Sequence, residues 1–164
     1  VLITSFANIS GAHLNPFVSL SMYLTKKIKG KELLTYVPAQ ILGCLLGVML
    51  ANVFFEHSII ELSTKNRDGF HIFLSEIVAT FGLIFIIFAT LKDGKTTVAA
   101  CVATYISAGY WFTSSTSFAN PAVAIARTFT DSFTGINYLN TPTYIFAELL
   151  GAIAAVYIIK RLIK

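Results

Sequence analysis

The stretch that decides the fold is "TSFANPAVAIAR", residues 116–127, which places an amide and a proline inside a strongly apolar chain. The 164 residues are 55% hydrophobic and 12% charged, whereas soluble domains carry about 25% charged residues. Asn is favoured just before a helix and Pro at its first position, so Asn120-Pro121 predicts a helix start. A helix from Pro121 to Thr130 would be ~15 Å long, about half of a ~30 Å hydrocarbon core. We therefore predict an element that enters the membrane without crossing it.

Four longer apolar runs predict membrane-spanning helices, because each has close to the ~20 nearly uncharged residues that a span needs. They are Leu33–Phe55, Phe70–Leu91, Thr96–Thr113 and Thr143–Ile159. Alternate threading of these runs places three basic clusters on one side of the membrane, which the positive-inside rule makes cytoplasmic. The clusters are Lys26, Lys27, Lys29 and Lys31; Lys92 and Lys95; and Lys160, Arg161 and Lys164. The net charge of +4 thus indicates membrane topology, and we expect no nucleic-acid partner.

An internal repeat relates the two ends of the chain. "TYVPAQILGCLLGV" (35–48) and "TYIFAELLGAIAAV" (143–156) share six residues in register and match Gln40 with Glu148. "NPFVSLS" (15–21) likewise matches "NPAVAIA" (120–126). The counterpart of Asn120 is therefore Asn15, and the earlier "TSFAN" at positions 4–8 is not part of the repeat.

The predicted topology places the two Asn-Pro elements on opposite sides of the membrane. Inverted repeats with interrupted helices are a design of channels and transporters, with the site near the midplane. We expect one transmembrane channel domain over residues 1–164, with repeat-related halves at 1–56 (partial) and 70–164. Each Asn oxygen would cap its own helix, which leaves the amide NH₂ to donate into a cavity.

The two motifs resemble those of a known family. "SGAHLNP" (10–16), followed by "VSL", and "NPAVAIAR" (120–127) are similar to the paired Asn-Pro-Ala loops of aquaporins, or major intrinsic proteins, and in particular to bacterial members. This resemblance covers essentially the whole chain. It implies an all-α membrane protein, a right-handed bundle of about four full spans with two re-entrant half-helices. It also implies an N-terminally truncated fragment that lacks the first span and most of the second.

The resemblance implies a passive channel for water and small uncharged solutes, assembled as a homotetramer in the lipid bilayer of a bacterial inner membrane. A secondary transporter is the alternative, because it shares inverted repeats and broken helices; the scarcity of charges within the spans disfavours it. No nucleophile, base and orienting acid recur at a spacing that suits an enzyme. We expect no cofactor and no metal, because His13 has no acid or Cys nearby and would line the cytoplasmic arm of the pore.

Several residues acquire expected roles from the resemblance. Glu76 would hold the irregular second loop by accepting backbone N–H bonds, and Glu148 would contact neighbouring helices or the loop of its own half. Phe17 stands where the family usually has Ala, more as a packing variant than as a gate. Val123 stands where the family has the Arg of the outer constriction, which favours glycerol or undissociated arsenite beside water. The expected pore residues are Asn15, Pro16, Asn120, Pro121, Ala122, Val123, Ser117, and Ala108 or Gly109.

Arg127 has two interpretations. It lies four residues beyond Val123, on the same face of a regular helix. It would either restore a positive charge at the pore mouth or pair with Asp131 at the i, i+4 spacing, and we favour the pair or another structural role.

Overall fold

The computed structural model describes residues 1–162, so Lys164 of the predicted C-terminal basic cluster lies outside the described residues. The described chain forms seven α-helices and two single 3₁₀ turns, without a β-strand. The helices are α1 Leu2–Ser10, α2 Pro16–Leu24, α3 Gly30–Phe54, α4 Phe70–Thr90, α5 Lys95–Phe112, α6 Pro121–Ala126 and α7 Thr141–Leu162. The 3₁₀ turns, Leu91–Asp93 and Arg127–Phe129, continue α4 and α6. The predicted all-α class is confirmed.

Three helices are long and apolar enough to cross a membrane: α3, α7, and α4 with its 3₁₀ extension, Phe70–Asp93. The fourth predicted run, Thr96–Thr113, does form a helix, α5. Within residues 1–162, however, α5 is not among the three helices that qualify. The reason is its composition, because Lys95 and several Thr, Ser and Tyr residues reduce the hydropathy of its 18 positions.

The core lies between α4 and α7, the two helices in most extensive contact. Small side chains at the crossing allow the helices to approach closely, as is usual where membrane helices pack. A Cβ on Gly151 would meet the carbonyl oxygen of Ile77 and come within 3.0 Å of the Phe81 nitrogen on α4. Glycine is therefore required there for steric reasons. At the repeat-related Gly43 on α3, an added Cβ would have no described atom within 4 Å.

The short helices α2 and α6 begin where the Asn-Pro pairs predict, at Pro16 and Pro121, each after an Asn cap. Each short helix packs against both α3 and α7, and the two also contact each other. The second is shorter than predicted, because regular helix ends at Ala126 and gives way to the 3₁₀ turn. The carbonyls of that turn bond to the outer loops and to α3 instead of continuing an α-helix.

Candidate functional site

The two Asn side chains join the two loops, because each one donates a hydrogen bond to a backbone carbonyl of the opposite loop. Asn15 Nδ2 donates to the carbonyl oxygen of Ala119 at 2.7 Å, and Asn120 Nδ2 donates to that of Leu14 at 3.1 Å. Each Oδ1 accepts a backbone N–H at the start of its own helix, from Phe17 at 2.8 Å in one half and from residue 122 at 3.1 Å in the other. We expected each NH₂ group to be free, but one of its two hydrogens is already used to join the loops. One N–H per amide remains available.

Both amides line a cavity of about 340 Å³ that runs between the two loops and the helices α4 and α5. One wall is apolar, formed by side chains such as Leu83, Val98 and Val102. The opposite wall is built from the loops and includes Asn15, Asn120, His13 and Ser117. No carboxylate belongs to this lining in the described chain. A passage with one apolar and one hydrogen-bonding wall suits small uncharged polar solutes.

Two buried carboxylates hold the second loop. Glu76 accepts the N–H of Phe118 at 2.9 Å and that of Ala119 at 2.8 Å. Glu148 accepts the next one, from Asn120, at 2.9 Å. Three successive N–H groups are thus directed to acceptors outside the cavity lining, while the carbonyl of Ala119 remains for Asn15. Glu148 therefore contacts the loop of its own half, one of the two roles expected for it.

The first loop has a different support. Gln40, the repeat counterpart of Glu148, donates to the Ser19 hydroxyl at 3.0 Å, and that hydroxyl lies 3.0 Å from Nδ1 of His13. The His13 ring also packs edge-on against Tyr36, with centroids 5.5 Å apart. Within residues 1–162, no group of three metal-ligating side chains is found near it or elsewhere. His13 is thus a hydrogen-bonded member of the cavity wall.

The predicted outer ring is only partly brought together. Val123 and Ser117 both line the cavity. Gly109 is buried behind Ser117, where an added Cβ would lie 2.8 Å from the Ser117 Oγ, so only glycine leaves room for that hydroxyl. Ala108 is exposed on α5 and does not line the cavity. Phe17 is only 8% exposed and belongs to the main apolar core, which agrees with its interpretation as a packing variant.

Arg127 does not pair with Asp131, so that alternative is wrong. The helix ends before Arg127, and Thr130 is extended, with φ −145°, so the i, i+4 geometry is lost. The Asp131 carboxylate instead accepts the Thr64 N–H at 2.9 Å. This bond is the main reason that the pKa of Asp131 lies below its usual value. The Arg127 guanidinium lies over the Phe118 ring, 4.2 Å from its centroid, and lines the cavity.

The sequence did not point to two further contributors. Phe118 is 5% exposed and packs against Tyr144, with ring centroids 4.9 Å apart, so it is a rigid platform for Arg127. Asn52, on α3, donates to the carbonyl of Phe129 at 2.9 Å and thereby fixes the 3₁₀ turn after α6. Phe118 lies inside the recognisable motif, whereas Asn52 is 77 positions from the residue to which it donates. Only an isolated amide within an apolar run could have drawn attention to it.

An all-helical membrane protein with two capped half-helices, joined by paired Asn side chains beside one cavity, is the class that this fold and site define. The family model for the major intrinsic proteins matches residues 1–112. Aquaglyceroporin AqpS of Rhizobium meliloti (strain 1021) is 43% identical over all 164 residues of the chain, which cover 70% of that relative. The chain therefore belongs to the major intrinsic protein family and is an integral membrane protein.

Two more distant relatives are also named as aquaporins. Human Aquaporin-4 is 28% identical over 163 aligned residues, covering 94% of this chain and half of the human protein. Aquaporin-B of Dictyostelium discoideum is 36% identical over 103 residues, or 56% of this chain and 35% of that protein. The aligned segments thus cover between about a third and 70% of the lengths of these three relatives.

Proposed function

We propose that residues 1–164 form most of one channel domain for the passive movement of water and small uncharged solutes. The observation that carries the proposal is the pair of hydrogen bonds that hold Asn15 and Asn120 together in one cavity wall. Membership of the major intrinsic protein family supports it. So does the similarity to relatives named aquaglyceroporin and aquaporin. As a channel, the protein would move solute down its gradient without chemical conversion.

The cavity favours such solutes for a physical reason. A water or polyol molecule that leaves its hydration shell can regain hydrogen bonds from the free N–H groups of Asn15 and Asn120. Its carbon groups can lie against the apolar wall. An ion gains no such compensation, because taking a charge out of water costs several kcal/mol unless it is paired. Glu76 accepts two loop N–H groups and Glu148 accepts one, and neither carboxylate belongs to the cavity lining, so neither would serve as an ion-coupling site. This disfavours the secondary-transporter alternative.

The small side chains at the outer end favour solutes larger than water. Val123 lacks the bulk and the donors of an arginine, and Ser117, the other ring residue that lines the cavity, is also small. We propose that, in addition to water, the channel conducts glycerol-sized polyols and neutral metalloid hydroxides such as undissociated arsenite. The name aquaglyceroporin, given to a relative 43% identical, agrees with this size class.

Osmotic shock of proteoliposomes tests the proposal. The full-length natural protein is reconstituted, and light scattering follows volume changes with water, glycerol and arsenous acid. We expect fluxes proportional to the gradient and insensitive to membrane potential or proton gradient. Accumulation of any solute against its gradient would contradict the channel and support a transporter.

Substitution of Val123 tests the solute class. Val123→Arg should reduce glycerol flux at least about tenfold and water flux much less, because a bulky guanidinium narrows the ring. Val123→Thr, of nearly equal volume, is the matched control and should retain glycerol flux. An equal reduction of water and glycerol flux by Val123→Arg would show that Val123 does not determine which solutes pass.

We further propose that the protein works as a homotetramer in a bacterial inner membrane, which is the arrangement that the family resemblance implies. Light scattering combined with size-exclusion chromatography of the detergent-solubilised full-length protein measures the number of subunits. A monomer as the only species would contradict the assembly without affecting the proposed channel.

A further inference from the structure

The outer end of the cavity contains a cationic group whose charge is not neutralised. We propose that Arg127, from its position one turn beyond Val123, is the residue that excludes protons and other cations from the pore. This inference rests on the proposed channel function. It assigns specificity to a residue outside the ring expected from the sequence motif.

Hydrogen bonds from other segments of the chain fix the backbone at Arg127. The three carbonyls of its 3₁₀ turn all accept hydrogen bonds from other segments. Ile136 N–H donates to the Arg127 carbonyl at 3.2 Å, Ser63 N–H donates to that of Thr128 at 2.9 Å, and the Asn52 amide donates to that of Phe129. Arg127 is therefore anchored in a defined position and is not a free residue of a surface loop.

The side chain of Arg127 is fixed as well, but its charge is left without a partner. Its guanidinium lies on the Phe118 ring, and cation–π contacts of this kind add stability without removing the charge. Phe118 is itself held, because its N–H is bound by Glu76 and its ring packs against Tyr144. Within residues 1–162, the guanidinium forms neither a hydrogen bond nor an ion pair. Its five N–H donors thus remain available at the cavity wall.

The electrostatic consequence is selectivity by charge. At an effective dielectric constant of about 20, one fixed charge several Å away reduces the occupancy of a monovalent cation roughly tenfold to a hundredfold. A neutral polyol or water molecule does not experience this barrier. Arg67 adds to the same potential, because its guanidinium lies 5.8 Å from the Phe118 ring centroid. Arg67, however, donates to the carbonyls of Gly135 and Phe133 and is not part of the cavity lining.

The experiment measures proton leak and osmotic flux on the same proteoliposomes of the full-length protein. A pH-sensitive dye reports proton entry under a potassium–valinomycin potential, and light scattering reports glycerol and water flux. Arg127→Gln should raise the proton leak roughly tenfold or more, measured relative to the glycerol flux of the same vesicles. Lys65→Gln removes a positive charge from the same side, and its side chain forms no hydrogen bond within residues 1–162. It is the matched control and should leave the leak unchanged.

Two further variants make the test decisive. In Val123→Arg/Arg127→Gln the cation is moved one turn inward, and the leak should return to the wild-type level while glycerol flux falls. Phe118→Leu removes the platform but keeps the charge and should raise the leak several-fold; it decides the question if Arg127→Gln fails to fold. An unchanged proton leak in an Arg127→Gln protein that still conducts glycerol, or in Phe118→Leu when that variant decides, would overturn this inference alone. Absence of osmotic flux in the wild type would instead overturn the proposed function.

Discussion

The two Asn-Pro loops share a sequence signature, yet they are stabilised by different chemistry. The second loop has three non-glycine residues in the left-handed region, Thr116, Ser117 and Ala119, and its N–H groups are bound by two carboxylates. The first loop has two, Ala12 and Leu14, and within residues 1–162 its side-chain contacts are to neutral groups: Asn120 donates to the Leu14 carbonyl, and Gln40 and Ser19 lie beside His13. Such backbone conformations cost ~1–3 kcal/mol each and persist only where the surroundings enforce them. The comparison shows that, within residues 1–162, carboxylates bind the loop with three left-handed residues, whereas neutral groups contact the loop with two.

The largest effect is expected when the carboxylate support is broken. Glu76→Gln replaces two acceptor oxygens by one acceptor and one NH₂ donor that faces another donor. Because hydrogen bonds to a charged group contribute ~1.5–3 kcal/mol each, we expect a loss of about 3 kcal/mol or more. The thermal unfolding midpoint of the full-length protein in detergent measures it.

Glu148→Gln is the matched control for this change. A Gln oxygen can still accept the single N–H of Asn120, so the expected loss is only about 1 kcal/mol. Equal losses in the two variants would contradict the assignment of Glu76 as the main support of the loop.

A second test compares the helices that follow the two loops. Gly151→Ala should destabilise the protein by about 1–3 kcal/mol, because the added methyl group would overlap the backbone of α4. The repeat-related Gly43→Ala meets no atom in the described chain, and the better helix propensity of Ala should offset any loss. The same unfolding assay measures both. A loss in Gly43→Ala equal to that in Gly151→Ala would show that another segment or subunit covers this face of α3.

The smallest effect concerns the outer loops that hold the end of the second half. The pKa of Asp131 is lowered in the folded state, chiefly by the Thr64 N–H bond. A lowered pKa means that the contribution to stability is complete above the unfolded pKa of about 3.9 and is lost as the pH falls through the folded pKa. We expect the unfolding midpoint of wild type to fall more steeply below about pH 4 than that of Asp131→Asn. Parallel pH profiles would contradict this role of Asp131.

The features that the sequence predicts well depend on short-range chemistry. An Asn next to a Pro is enough to predict a capped helix start, and both Pro16 and Pro121 begin helices. The repeat register pairs Gln40 with Glu148, but it could not show that one contacts a hydroxyl and the other a loop N–H. The all-helical membrane fold follows from composition and from the length of the apolar runs.

The errors concern interactions between distant segments. The sequence predicted a helix through Thr130, but it ends at Ala126, because Ser63 and Asn52 bind carbonyls beyond that point. The predicted ion pair between Arg127 and Asp131 required that the helix continue, so it does not form. Residues more than 60 positions away make these bonds, and no local pattern encodes them.

The packing of the short helices has a consequence for biosynthesis. Because α2 lies against α7 as well as α3, the first half cannot complete its surroundings until the last helix has left the ribosome and entered the bilayer. The passage would then be assembled in one late step and not half by half.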